Sequence, residues 1–318
     1  MSEKILNFLK KNAGYVSGEE ISHSLGITRY AIWKNIQELR ELGYDIVAVP
    51  HLGYRLLSPP DRLFPSEINE GLKTKCIGKK IYYYDAVSST MDIATELGMK
   101  GASEGTLVLA ETQTKGRGRL GRSWSSPKYK GIYLSLILKP KISPNQSPIL
   151  TLLAAVSVCE AIKEIADLEA KIKWPNDILI HNKKLGGILT ELNAETDEIH
   201  FVIIGIGLNV NNEKKSLIPQ ATSLKEQRKE NIDRIELLRG ILEKLEENYL
   251  CFCEKSHRAI IEKWRSYSLT LGKRIKIISH DIHLEGVALD IDIDGGLLLR
   301  KDSGLIEKVM AGDVVHCR

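Results

Sequence analysis

The sequence has no paired cysteines, no long apolar run and no dominant charge. Its five cysteines (Cys76, Cys159, Cys251, Cys253 and Cys317) are scattered and odd in number, and none forms a C-x-x-C pair. That fits reduced cytosolic thiols better than a disulfide framework or a zinc site. The longest apolar run, "ILTLLAAVSV" from Ile149 to Val158, is too short to span a bilayer. The opening "MSEKILNFLKKN" is polar and charged, unlike a signal peptide. The expectation is a cytoplasmic protein with no membrane partner. Lys and Arg number 45 against 41 Asp and Glu, a net charge of +4. So mild an excess makes no case for nucleic acid, and any such case rests on local features. The G-x-x-x-x-G-K-[ST] phosphate loop is missing too.

Three zones are present. Residues 1–60 carry helical periodicity and then a short alternation. "SPPDRLFP" (Ser58–Pro65), with three prolines, reads as a linker. Residues 66–270 mix strands and helices, and 271–318 alternate as strands.

In the first zone, Ile5, Leu6, Phe8 and Leu9 line one helix. Ser17 is an N-cap for "SGEEISHSL", with Glu20 completing a capping box and Gly26 ending the helix in a tight turn. Thr28 caps "TRYAIWKNIQELREL", with Ile32, Ile36, Leu39 and Leu42 inward and Trp33 read as core. Two helices across a glycine turn are the helix-turn-helix pattern. "YDIVAVPHLGYRL" adds a β-hairpin wing. The outer face then offers Thr28, Arg29, Tyr30, Lys34 and Asn35 to DNA, with Arg55 beyond the hairpin. The competing reading is a protein-interaction module with a solvated polar face.

In the second zone, "TLVLAETQT" reads as a strand leading into "TKGRGRLGRSW" (Thr114–Trp124), and "GIYLSLILKP" reads as an alternating strand after it. The loop lacks a following helix, so it is not a dinucleotide fingerprint. It combines backbone freedom with three planar cations, Arg117, Arg119 and Arg122, suited to phosphate. "SPILTLLAAVSVCEAIKEI" is a long helix, and "EAKIKWPNDILIHNKKLGGILTELN" reads as two strands around a polar turn. Glycine pairs in "KKLGGIL" and "GIGLNV" mark strands that a ligand approaches closely. Strands joined mostly by short turns, with helices between some, define an α+β class. "DGG" (Asp294–Gly296) marks a hairpin in a tail that suggests a small barrel.

"SST" (Ser88–Thr90), "ETQTKGRGRLGRSW", "KWPND", "KKLGGIL" and "GIGLN" occur in this order. Together they resemble the biotin–protein ligases, and the helix-turn-helix ahead of them resembles the bifunctional kind that is also the biotin operon repressor. The resemblance covers nearly the whole chain. It implies a winged helix-turn-helix domain at 1–60, a class II synthetase-like mixed-sheet catalytic domain at 66–270 and an SH3-like barrel at 271–318. It implies that biotin and MgATP give biotinyl-5′-AMP, and that biotin then passes to a lysine of the biotin carboxyl carrier protein. It further implies operator binding and a homodimer on adenylate binding. Ser89, Thr90 and Gln113 match positions that bind the biotin head group. Arg117, Gly118 and Arg119 match the loop that closes over the acyl phosphate, and Lys184 the lysine at the carboxylate. Gly187 and Gly205 match points of close approach to biotin. Arg122, Trp124, Lys173, Asn176, Asp177 and Asn209 match the ATP and Mg²⁺ neighbourhood. Arg117, Arg119 and Lys184 carry the catalytic roles, and no resident metal is implied.

Two residues depart from the pattern. Met91 stands where asparagine is common, and no Trp lies between Trp174 and Trp264 to stack on adenine. A lipoate–protein ligase and a non-catalytic small-molecule sensor are the alternatives. The His280–His283 pair lacks a third ligand for a metal site, Cys251 and Cys253 diverge on a helix, and Trp264 reads as core.

Overall fold

Capping and periodicity set the first elements as the sequence predicts. A computed structural model describes residues 1–254, 257–279 and 282–316, so His280 and Cys317 lie outside the described residues. The chain divides into two units, 1–62 and 63–318.

In the first unit, α1 (Ser2–Lys11), α2 (Gly18–Leu25) and α3 (Arg29–Glu41) precede β1 (Asp45–Val49) and β2 (Gly53–Ser58). Ser17 Oγ accepts the Glu20 N–H and Thr28 Oγ1 accepts the Ala31 N–H, so each helix start has one of its free donors satisfied. Gly26 closes α2 in the left-handed region, at φ 65°. β1 and β2 pair antiparallel as the wing. Ile5, Leu6, Leu9, Ile21, Ile32, Ile36 and Leu39 form the buried interior.

Three expectations on α3 fail. Leu42 is exposed, and Trp33, read as core, is 50% exposed. Asn35, read as an outward DNA contact, is buried: it donates to the Ala31 carbonyl and accepts from Ser2 Oγ. Periodicity alone spreads the inward stripe too widely. The packing of α1 against α3 selects Ile32, Asn35, Ile36 and Leu39 as the covered side.

The second unit contains, in order, α4 (Pro65–Asn69), β3 (Ile81–Tyr84), α5 (Thr90–Met99), β4 (Leu107–Ala110), β5 (Gly131–Leu138), α6 (Pro148–Ala166), β6 (Lys171–Lys173), β7 (Asp177–Ile180), β8 (Lys183–Ala194) and β9 (Ile199–Asn209). Then come α7 (Leu224–Arg228), α8 (Arg234–Glu254), α9 (His257–Tyr267), β10 (Arg274–Ser279), β11 (Ile282–Ile291), β12 (Leu297–Arg300), β13 (Ile306–Val309) and β14 (Asp313–His316). Seven strands form a mixed sheet in the order β3-β4-β5-β9-β8-β7-β6, with β3 and β4 parallel and every other pair antiparallel. The last five strands form an antiparallel sheet, β13-β12-β11-β10-β14, with Asp292 Oδ1 accepting the Asp294 and Gly296 N–H groups in the predicted hairpin turn.

The stretch read as two strands around a turn is three: β6, β7 and β8. The segment β5, read as alternating, is buried along its whole length. Both of its faces are covered. Ile132, Leu134, Leu136 and Leu138 join the core beneath α6 and α8, and Ile137 joins a smaller cluster with Met91, Ala94, Val108, Phe201 and Ile203 beside α5. A strand covered on both sides has no polar face to display. Trp264 is fully buried, as expected.

Candidate active site

The period of 2 along β9 creates the site. Val202, Ile204, Ile206 and Leu208 point into the main core. Phe201 and Ile203 pack beneath α5, and the remaining members of that face are Gly205, Gly207 and Asn209. Gly187 on β8 is the register partner of Gly207. These glycines leave a cavity of about 490 Å³ on the face opposite α6. Close approach requires the absence of a side chain there: a Cβ at Gly205 would meet Met91 Sδ at 2.6 Å, and one at Gly207 the Trp124 ring at 2.6 Å.

One wall is a hydrogen-bonded polar chain. Ser135 Oγ donates to Thr90 Oγ1 at 2.8 Å, and Gln113 Oε1 accepts from the Thr90 N–H and hydroxyl at 2.9 and 3.1 Å. Gln113 Nε2 donates to Ser126 Oγ at 3.0 Å. Ser89 is fully buried and caps α5 through the Met91 N–H. The chain presents mixed donors and acceptors at one end of the pocket, beside the apolar side chains of Met91, Leu134, Ile188 and Leu189.

At the other end Lys184 Nζ lies 2.6 Å from Asp177 Oδ1 and 5.8 Å from the centre of the Trp124 ring. The Lys184 backbone bonds to Gln220 and Thr222, and Asn209 Nδ2 donates to the Thr222 carbonyl, so residues 220–222 are fastened beside the cavity that Gln220 and Ala221 help line. Two residues that line the cavity each have a buried polar atom, Trp124 Nε1 and Asn212 Oδ1, with no hydrogen-bond partner among the described residues.

The loop from Thr114 to Trp124 folds back on itself. Trp124 N–H donates to the Gly116 carbonyl at 2.8 Å, and Gly118 N–H to that of Arg122 at 2.7 Å. Each arginine is held. Arg117 pairs with Asp92 at 2.9 Å and Glu191 at 3.3 Å. Arg119 donates to Asn176 Oδ1 at 3.2 Å and to the Gly312 carbonyl at 3.3 Å, and Arg122 pairs with Asp313. Burial lowers the Arg119 pKa, and Asp313 and Asp177 counter that effect.

The structure therefore gathers Ser89, Thr90, Gln113, Arg117, Gly118, Arg119, Arg122, Trp124, Asn176, Asp177, Lys184, Gly187, Gly205 and Asn209 around one cavity. Lys173 is not among its lining residues: it stands in β6 opposite Asp177. Asn212, Ile218 and Asp313 line the cavity but were not expected. Asp313 carries no local motif. Asn212, two residues beyond "GIGLNV", was within reach of that signal. Among the described residues no group of three His, Cys, Asp or Glu side chains is placed to hold a metal ion, and no helix is long and apolar enough to cross a membrane.

Three family models match the chain: the biotin/lipoate A/B protein ligase family over residues 83–209, an HTH domain over 2–55 and the biotin protein ligase C terminal domain over 270–317. The cavity lies mainly within the first. The biotin protein ligase from Aquifex aeolicus in complex with biotin and ATP is 35% identical, with a TM-score of 0.65 over 76% of this chain and 99% of that one. The Bacillus subtilis (strain 168) bifunctional ligase/repressor BirA is 44% identical over 304 residues, which cover 94% of this chain and 93% of that protein. The Escherichia coli (strain K12) bifunctional ligase/repressor BirA is 30% identical over 312 residues, 96% of this chain and 94% of that one. The chain belongs to the biotin protein ligase family, in its bifunctional ligase/repressor branch.

Proposed function

We propose that the second unit joins biotin to ATP, forming biotinyl-5′-AMP and pyrophosphate, and passes the biotinyl group to a lysine of the biotin carboxyl carrier protein. The observation that carries this reading is the convergence on one cavity of a neutral hydrogen-bonding wall, a lysine–aspartate pair and the arginine loop. The wall of Thr90, Gln113 and Ser89 suits a urea head group. In the first step a carboxylate oxygen attacks the α-phosphorus and pyrophosphate leaves. In the second, the acceptor amine attacks the acyl carbon and AMP leaves. Neither step needs a nucleophile from the protein. The first brings a carboxylate up to a polyanion, the second builds negative charge on the acyl oxygen and the departing AMP, and Lys184 and Arg119 supply the counter-charge in both.

Trp124 takes the role of the missing tryptophan: its indole lines the cavity over Gly207 and offers adenine a flat surface. Asn212 Oδ1 is an acceptor suited to the exocyclic amino group of adenine. One carboxylate suits a Mg²⁺ ion that arrives bound to the nucleotide phosphates: Asp177 would give it an oxygen, and the ion would neutralise phosphate charge.

The reading predicts biotin-dependent exchange of pyrophosphate into ATP that lipoate does not inhibit. No exchange with biotin and MgATP would sink it. An Arg119→Gly variant is expected to release biotinyl-5′-AMP at least about tenfold faster, since one charged hydrogen bond to phosphate is lost. Rapid filtration of labelled adenylate measures this, and equal retention removes Arg119 from the clasp. A Gly207→Ala variant pushes its Cβ into the Trp124 ring. Its KM for ATP is expected to rise about tenfold with KM for biotin nearly unchanged. An equal rise in both would place Trp124 elsewhere than at the base.

The first unit is the repressor half. We infer that it binds biotin operator DNA as part of a homodimer that forms when the adenylate is bound, and that a dimer sets two recognition helices on a palindrome. Gel filtration at micromolar protein should show the mass doubling with biotin and MgATP. An unchanged mass counts against it.

A further inference from the structure

The recognition helix α3 carries an unexpected outer surface. Of the side chains expected to read bases by hydrogen bonding, Asn35 is turned inward. Arg29 is paired with Glu19 across the helix turn at 3.0 Å. What α3 displays instead is the stripe Tyr30, Trp33, Lys34 and Gln37, spaced i, i+3, i+4 and i+7. Tyr30 is 72% and Trp33 50% exposed, and their rings lie 6.0 Å apart, tilted by 30°. Two large aromatic rings left in water on one helix face mark a surface built to be covered. Lys34 and Arg55 are exposed in the same unit, which suits a polyanion.

We propose that Tyr30 and Trp33 read the operator through apolar contact with thymine methyl groups in the major groove, and that this contact sets base preference. The proposal rests on the repressor reading above. The C5-methyl is the one apolar feature of a base edge in that groove, and an aromatic ring covers it without a hydrogen bond. Lys34, next on the stripe, is then free to take a phosphate, which positions the helix without reading sequence.

The test uses the full chain with biotin and MgATP. Duplexes that it retains are selected from a random library. The enriched duplex is then resynthesised with deoxyuridine in place of each thymidine of a half-site, which removes only the methyl. Binding is expected to weaken about three- to tenfold for each contacted methyl. Trp33→Ala and Tyr30→Ala should bind the thymine duplex more weakly and lose the difference between thymine and uracil. Trp33→Phe should keep part of it. Thermal melting and adenylate formation of the variants should match the parent, which separates lost contact from lost fold.

Equal binding of thymine and uracil duplexes by the parent overturns the proposal, and so does an enriched half-site made only of G and C. A Trp33→Ala variant that weakens both duplexes equally while abolishing the doubling of mass overturns it as well, and assigns the aromatic pair to a protein interface. If no sequence is enriched at all, the repressor reading fails and the proposal with it.

Discussion

Replacing Lys184 with alanine is expected to lower biotin-dependent ATP–pyrophosphate exchange by about 10²–10³, the usual loss when one preorganised charge donor leaves a site of developing negative charge. The geometry gives the reason. Lys184 Nζ is the cation held between Asp177, at 2.6 Å, and the Trp124 ring, and it faces the cavity. Without it the biotin carboxylate and the α-phosphate meet with one counter-charge fewer. The loss should fall on kcat more than on KM for biotin, because the polar wall around Gln113 is untouched. Lys184→Arg keeps charge but misplaces it, and should recover only part of the rate. An alanine variant that retains most of the exchange would remove Lys184 from the chemistry.

The second large effect concerns stability. Arg234 at the start of α8 and Glu111 just past β4 form an ion pair at 2.8 Å, with both side chains fully buried. Arg234 also donates to the Gly131 carbonyl, and Glu111 Oε1 accepts from the Leu63 N–H at 2.7 Å and from the Tyr83 hydroxyl at 3.3 Å. Glu111→Ala therefore leaves a buried guanidinium without its carboxylate. The expected cost is about 3–5 kcal/mol, seen by calorimetry as a fall in Tm of roughly 10 °C. The pair itself need not stabilise relative to apolar residues, so Glu111→Leu combined with Arg234→Met should regain much of the loss. A Glu111→Ala variant that melts with the parent would show that water reaches the site.

Much of this was legible in the sequence because it is local. Ser17, Thr28 and Gly26 announce helix ends through short-range capping and turn geometry. Gly205 and Gly207 fall on one face of β9 through the period of 2, and of the adjacent pair on β8 it is Gly187 that joins them, so much of the cavity floor could be read from "KKLGGIL" and "GIGLN". What was misread depends on which neighbour covers which face. Asn35, Trp33 and Leu42 are assigned by the packing of α1 on α3, and helical periodicity fixes a stripe only to within about one residue. β5 looked alternating because Tyr133 and Ser135 punctuate it, but α5 and the loop cover that face too. Asp313 was out of reach, since nothing near it in the chain signals a partner 191 residues away.

That separation has a consequence for how the protein is made. The arginine loop is synthesised 193 residues before Gly312, whose carbonyl accepts from Arg119, and 191 before Asp313, which holds Arg122. Domains form as units while the chain emerges, and contacts distant in sequence close last. A growing chain can therefore complete the central sheet, with its glycine floor and polar wall, while the loop above still lacks its anchors. Ribosome-bound chains stalled before residue 312 should bind biotin yet hold adenylate poorly, so ligase competence arrives late in translation.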